Sequence, residues 1–415
     1  MSTYGLDGVL PWSQARHVAA TCGRPQSGVD ARLDEAGGTV LVSDLLTIQD
    51  EPATDCAAFD GFAIRGEGPW LLHPDLEVVT AGSASVVEAG QPIPRHTDAV
   101  IPVDSATSEQ LNDGRVLLLA RDALTGVPDE SARPEFGSGI TPQGTVSAAG
   151  HVLVPAGSTV TVAVLALAAA AGHDDIRIVR PPVVGVLVLG GSLLDRGLPR
   201  DRRVRDALGP VIPTFVGALG ARGNPAVRAP DTEALLRSEI DDAAVDILIT
   251  TGSTAPGPDN HLRRVLRDLG ARWLVDGASV TPGAQMLLAK LADGRFLVGL
   301  PGDPLAAMGA LVTLVSPLVR TLRDDIVSGQ RRSAVLMDDV PAADYADDTG
   351  LVPVRLEVSA AGTQARSLPA DGPAGLQGWA TADAIAIVPP GAGLRGDVVV
   401  LLDMLGREDW PGWSK

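Results

Sequence analysis

The pattern of apolar and polar positions changes along the chain, and its clearest stretch begins at Pro181. VVGVLVL (183–189) and VDILITT (245–251) are apolar runs without alternation, the mark of parallel strands buried on both faces. A helical segment is expected near 210–219, and another opens at Asp231 with Glu233 in its first turn. NHLRRVLRDLG (260–270) places Leu262, Val265, Leu266 and Leu269 on one face, with Gly270 to stop the helix. WLVD, RFLVGL and a long apolar helix from Pro304 to Leu322 complete the series. Strands alternating with helices over about 140 residues predict an open, doubly wound parallel sheet.

The flanking zones read differently. Residues 1–48 begin with a helical stretch and break at a Pro/Gly/Ser cluster around 24–28. Residues 49–145 carry turns and short β-prone runs, DLEVVTAG, DAVIPV and GRVLLLA, which suggest a small antiparallel domain. VLVPAGSTVTVAVLALAAAAG (152–172) is uncharged and long enough for a bilayer. Its Pro155, Gly157 and Ser158 suit a strand and then a short buried helix capped by Gly172 instead. Residues 324–415 return to β character, with VPVRLEVS, ADAIAIVPP and GDVVVLLDML between Gly/Pro turns, and read as a small all-β domain.

Composition narrows the function classes. Of 415 residues, 33 are Lys or Arg and 51 Asp or Glu, a formal charge of −18 that disfavours nucleic acid and anionic membranes. Aromatic residues are 3%, too few for a platform on which single-stranded bases stack. Cys22 and Cys56 make no disulfide framework, and Asp7 interrupts the stretch where a secretory signal needs an apolar block. A cytoplasmic protein without a membrane span is the expectation.

In an open parallel sheet, ligands bind beyond the carboxyl ends of the strands. Three Gly-rich loops fall there: GGSLLDRG (190–197), TGSTAPGPDN (251–260) and LPGDP (300–304). Thr251, Gly252, Ser253 and Thr254, ahead of a helix at Asn260, suit an anion cradle or an ordinary strand-to-helix turn. No Walker loop, G-x-G-x-x-G element or zinc-ligand spacing is present, and the six histidines are scattered.

These loops also carry a resemblance. DEPATDCAAFDGFAIRG (50–66) resembles the S-A-M-D-G-Y-A-V-R segment of the MoeA/gephyrin family, the molybdopterin molybdenumtransferases. GQPIPRHTDAVIP is similar to that family's T-G-A-P-V-P-x-G-A-D-A-V-V, and GVLVLGGSLLDRG stands where it has a strand and S-T-G-D-E-L. TTGSTAPGPDNHLRRVLRDLG resembles S-G-G-V-S-V-G-D-Y-D and its helix. SVTPGAQMLLAKL matches P-G-K-P…G-K, and VGLPGDPLAAM matches G-L-P-G-N-P-V-S-A. Order and spacing agree over nearly the whole length.

The resemblance implies a multidomain α/β plus β fold with four domains. Residues 1–48 and 146–180 would form a linking domain in two segments, 49–145 a β-rich insertion, 181–323 the molybdopterin-binding domain, and 324–415 a β-barrel-like domain. It implies a homodimer, and by analogy with gephyrin a protein partner. It also implies a reaction joining molybdate to adenylylated molybdopterin with release of AMP, assisted by Mg²⁺. Carried over, Asp60 and Asp259 would be catalytic and contact the metal. Gly191, Ser192, Thr251, Gly252, Ser253, Gly257, Lys290, Pro301, Gly302 and Asp303 would bind the cofactor.

The departures follow a rule. Ala89 replaces the Thr of T-G-A, Ser192 and Leu193 the Asp-Glu of G-D-E-L, Ala284 the first lysine of P-G-K-P, and Asp303 the Asn of P-G-N-P. Ala207 and Leu208 stand for a Ser-Asn pair, and Pro258 and Asn260 for two acids, with Asp259 between them. Retained positions are mostly the glycines and prolines the backbone needs, whereas lost ones mostly supplied charge or hydrogen bonds. Three readings follow: an active transferase with an altered site, a molybdopterin binder without catalysis, and a dimeric interaction scaffold.

Overall fold

The computed structural model describes residues 8–122, 125–129, 134–257, 260–325, 332–340, 347–360, 362–370 and 372–403. They fall into two compact units, one drawn from Met1–Ala31, Ala36–Val42 and Arg177–Lys415, the other from Arg32–Glu35 and Ser43–Ile176.

In the first unit a mixed sheet runs in the order Arg222–Gly223, Val183–Leu189, Ile247–Thr251, Phe296–Leu300, Leu287–Lys290, Arg272–Asp276, with Val227–Ala229 also against Val183–Leu189. The first four are parallel. The last two are antiparallel, which corrects the all-parallel expectation at that edge. Register aligns Val188 with Thr251 and Thr251 with Leu300, so three carboxyl ends finish side by side.

Both faces are covered, as the unbroken apolar runs require. Val184, Val186, Ile247 and Ile249 pack on one side with Ile212, Val216 and Leu314. Leu187, Leu248 and Leu297 pack on the other with Leu236, Ile240 and Leu262. The 19-residue helix Pro304–Leu322 is apolar enough to cross a membrane, yet 72% of it is buried inside the protein, as for a core helix. Its turn Leu311–Val315 is π-helical just ahead of Pro317, whose ring removes an amide donor from the ladder. Trp12, from the helix Trp12–Thr21, donates Nε1–H to Thr313 Oγ1 at 2.9 Å and ties the amino-terminal helix to it.

A second sheet of this unit closes on itself: Thr349–Ser359, Gly362–Ser367, Ser333–Leu336, Val398–Asp403 and Ala384–Val388, which returns to pair with Thr349–Ser359. Val352, Val354, Ala365 and Val399 fill this barrel. The segment is not all β. Gly372–Thr381 is a helix whose Trp379 is buried, a feature hidden by its Gly and Pro content.

The second unit holds a sheet that includes Val116–Arg121, Trp70–His73, Ser83–Val87, Gly61–Ile64 and Ala99–Pro102 around Ile64, Trp70, Ala84 and Leu118. It is antiparallel except where Trp70–His73 lies parallel to Ser83–Val87. DLEVVTAG is not a strand: Val79 is buried and bonds the Arg95 carbonyl from an irregular segment, and the strand comes next, at Ser83. Residues 152–172 form a short strand, Val152–Val154, and a nine-residue helix, Val162–Ala170, too short to span a bilayer. That helix is not buried as expected. Only Ala168 is inside, and Val162 is 84% exposed.

Candidate functional site

The three loops expected to bind a ligand meet at the carboxyl edge of the mixed sheet. Gly252 leaves its strand at φ 85° and donates its N–H to the Leu300 carbonyl at 2.9 Å. A Cβ placed on Gly302 would lie 3.6 Å from Gly252 Cα, and one on Gly252 would lie 3.7 Å from the Leu189 carbonyl. Thr251 is buried beneath them and Pro301 is buried beside them. Gly191 and Ser192 continue from Leu189 and are exposed.

Ser253 sits at φ 55°, a conformation costly for a residue with a Cβ, and its hydroxyl is hydrogen-bonded to Asp231 Oδ2. Asp231 Oδ1 is buried with no partner among the described residues. Asp231 is therefore not the helix opener expected from sequence. Thr232 precedes the helix Glu233–Asp242, and Asp231 turns toward the loop of the neighbouring strand. Below Gly257, Asn260 precedes the helix His261–Asp268 and hydrogen-bonds the Ala255 carbonyl. Arg263 holds the Thr254 carbonyl at 2.9 Å and Asp276 Oδ2 at 2.9 Å, so the loop is fixed from its own helix. His261 Nδ1 lies 3.3 Å from Glu233 Oε1, engaged within the fold.

The remaining expected residues fare unequally. Asp303 is an N-cap: its Oδ1 accepts the Ala306 N–H at 2.8 Å at the start of the helix Pro304–Ala310. Lys290 is not brought to the loops. Its strand runs antiparallel to Phe296–Leu300 and pairs Lys290 with Phe296, four residues before Leu300, about 13 Å along the strand. Its Nζ rests over the Phe296 ring at 5.0 Å. Asp259 lies outside the described residues. Asp60, in the second unit, is exposed and accepts the Ala89 N–H at 2.8 Å. The glycine after it is obligatory, because a Cβ on Gly61 would fall 2.1 Å from the Ile101 carbonyl oxygen. Among the described residues no three His, Cys, Asp or Glu side chains converge as a metal cluster.

Sequence reasoning passed over a buried carboxylate, paired with a partly exposed arginine, beside the first loop. Asp206 Oδ1 accepts the N–H groups of Leu208 at 3.0 Å and Gly209 at 2.9 Å, and its Oδ2 meets Arg228 at 2.7 Å. Burial opposes its ionisation, yet these amides and the guanidinium outweigh it and hold the carboxyl below its ordinary range. Arg228 also reaches Asp195. The only local signal was an acid two residues ahead of Leu208-Gly209.

A doubly wound sheet whose Gly-rich loops meet at its carboxyl edge, in a chain that also carries a closed barrel and a β-rich unit, defines a multidomain α/β protein with a candidate ligand site at that edge. Comparison with known families makes that class specific. The profile described as MoeA N-terminal region (domain I and II) matches residues 10–172, and the one described as probable molybdopterin binding domain matches residues 185–321. The chain belongs to the MoeA family. It is 27% identical to the molybdopterin molybdenumtransferase of Bacillus subtilis over 333 residues, 74% of each chain. With that of Staphylococcus epidermidis it shares 26% identity over 311 residues, 71% of each. The crystal structure of a MoeA protein from Pyrococcus horikoshii has the same fold, with a TM-score of 0.72 at 23% identity over 95% of this chain and 99% of that one.

Proposed function

We propose that this chain acts in molybdenum-cofactor biosynthesis, holding molybdopterin or adenylylated molybdopterin at the loops 190–192, 251–253 and 301–302, and takes part in inserting molybdenum from molybdate with release of AMP. The observation that carries this reading is the meeting of Gly252, Gly302 and the Leu189 carbonyl at the sheet edge, within the segment similar to molybdopterin-binding domains. Glycines there let a ligand approach the backbone, the amides and the Ser192 hydroxyl suit phosphate oxygens, and Ser253 Oγ, whose proton goes to Asp231, is left to accept from a pterin N–H. Asp231 orients the Ser253 hydroxyl from below. Asp60 and Asp259 are the carboxylates to which this reading gives catalytic roles.

A second reading, binding without catalysis, is favoured by the replacements. Leu193 and Ala284 stand where relatives carry charge, Asp303 caps a helix, and Lys290 is held at the far end of its strand. Loss of such groups removes transition-state stabilisation while leaving the scaffold intact. Both readings place the chain in the cytoplasm as a homodimer. The exposed apolar helix Val162–Ala170 supports a second copy as its cover.

Calorimetry with adenylylated molybdopterin, followed by an assay of molybdate-dependent AMP release, tests them together. Binding with release supports the transferase. Binding without release supports the non-catalytic binder, and no binding overturns both.

A further inference from the structure

Directly after the loop at Gly191 the chain reads DRGLPRDRRVR (195–205), five arginines against two aspartates, a local charge of +3 in a chain of −18. The excursion is well built. Leu193 and Leu194 pair in parallel with Val204 and Arg205, and Arg200 and Arg203 exchange backbone hydrogen bonds of 3.1 and 2.8 Å. Between them Asp201 and Arg202 take φ of 52° and 56°, the two left-handed residues of a type I′ turn. At its base Asp206 is buried on Arg228, and Arg228 reaches back to Asp195.

Arg203 turns its guanidinium to the carbonyls of Gly191 at 3.4 Å and Leu193 at 3.2 Å, against the ligand loop itself. The side chains of Arg196, Arg200, Arg202 and Arg205 are exposed and make no hydrogen bond or ion pair among the described residues. Arginines elsewhere on this surface commonly face acids, as Arg115 does Asp113, Arg177 does Asp30, and Arg366 does Asp338. Four guanidinium groups without an acidic partner, carried on eleven consecutive residues, repel one another. Solubility gives no reason for them in so acidic a chain.

Guanidinium forks match phosphoryl oxygens in two-point hydrogen bonds. A compact polyanion fits this short excursion, whereas an extended nucleic acid would meet the repulsion of the whole chain. We infer that the 195–205 excursion is a cationic clamp for the phosphoryl or pyrophosphoryl end of the ligand seated at the neighbouring loops. The identity of the ligand's remainder rests on the pterin reading above; the clamp for its phosphoryl end rests on these arginines.

The test compares the full-length protein with the combined variant Arg200→Gln, Arg202→Asn, Arg205→Gln, and with the corresponding triple lysine variant as a charge-keeping control. Calorimetry at low salt is run with inorganic pyrophosphate, with molybdopterin and with dephosphorylated molybdopterin. The clamp requires pyrophosphate binding that weakens at least about ten-fold in the neutral variant and is largely kept by the lysine variant. It also requires that any preference for phosphorylated over dephosphorylated pterin disappears in the neutral variant. Pyrophosphate binding that is absent, or equal in wild type and neutral variant, overturns the clamp whatever the pterin result. Pyrophosphate binding of the expected kind with neither pterin bound keeps the clamp and overturns the pterin reading.

Discussion

Ser253 Oγ and Asp231 Oδ2 are hydrogen-bonded across 22 residues of sequence, one on the loop after the strand Ile247–Thr251, the other just before the helix Glu233–Asp242. The bond holds a serine in a left-handed conformation at the edge of the proposed ligand site. Ser253→Gly removes a backbone penalty of roughly 1 kcal/mol and also the hydroxyl. Stability by urea denaturation is expected to change by less than about 1 kcal/mol, while calorimetry shows weaker molybdopterin binding. Unchanged affinity would remove Ser253 from the site.

The Asp-Gly step of the first motif carries a structural demand beside its chemical one. Gly61→Ala drives a methyl into the Ile101 carbonyl and is expected to destabilise the second unit by more than about 2 kcal/mol. Gly82→Ala, at φ 77° with nothing within 4 Å of the added methyl, is expected to cost only about 1 kcal/mol. Chemical denaturation of the two variants side by side measures the difference.

Asp206 has its carboxyl held below the ordinary value in the fold, so its stabilising contribution is complete above about pH 4 and is lost as pH falls through the folded value. Asp206→Asn weakens the pairing with Arg228, which is partly exposed and keeps Asp195, and is expected to cost about 1 kcal/mol at neutral pH. A plot of stability against pH for the variant should fall less steeply on the acid side than for wild type. Parallel acid limbs would show that other carboxylates carry the dependence.

Asp303 caps the helix Pro304–Ala310 through the Ala306 amide. Asp303→Ala is expected to lose about 1 kcal/mol, and Asp303→Asn to keep most of it, since either side chain offers an oxygen. If Asp303→Asn also keeps molybdopterin affinity in calorimetry, the carboxylate charge plays no part in binding.

The helix Val162–Ala170 bears on the proposed dimer. Val162→Glu combined with Leu167→Glu alters side chains 84% and 39% exposed in the single chain, so the folded chain should tolerate both. Light scattering after size exclusion is expected to show a dimer for wild type and a monomer for the variant. A variant dimer as stable as wild type would place the second copy elsewhere.

Much of the architecture was legible along the chain because burial writes itself into local patterns. VVGVLVL and VDILITT announced strands covered on both faces, and NHLRRVLRDLG placed Leu262, Val265 and Leu266 where the helix buries them. The glycines of the three loops, and hence the carboxyl edge as candidate site, came from the same reading.

What tertiary structure alone decided depends on partners far apart in sequence. Composition identified a helix in 152–172, but whether its apolar side chains find a cover is a property of their neighbours, and Val162 finds none. Lys290, expected among the ligand residues, is set opposite Phe296 by an antiparallel pairing, a direction no local pattern encodes. Asp231 meets Ser253, and Asp206 meets Arg228, because neighbouring strands bring their ends together. The hydrophobic pattern determines which segments are strands and helices, since each must bury its own apolar face. Which charges then meet is set by the order and direction of the strands.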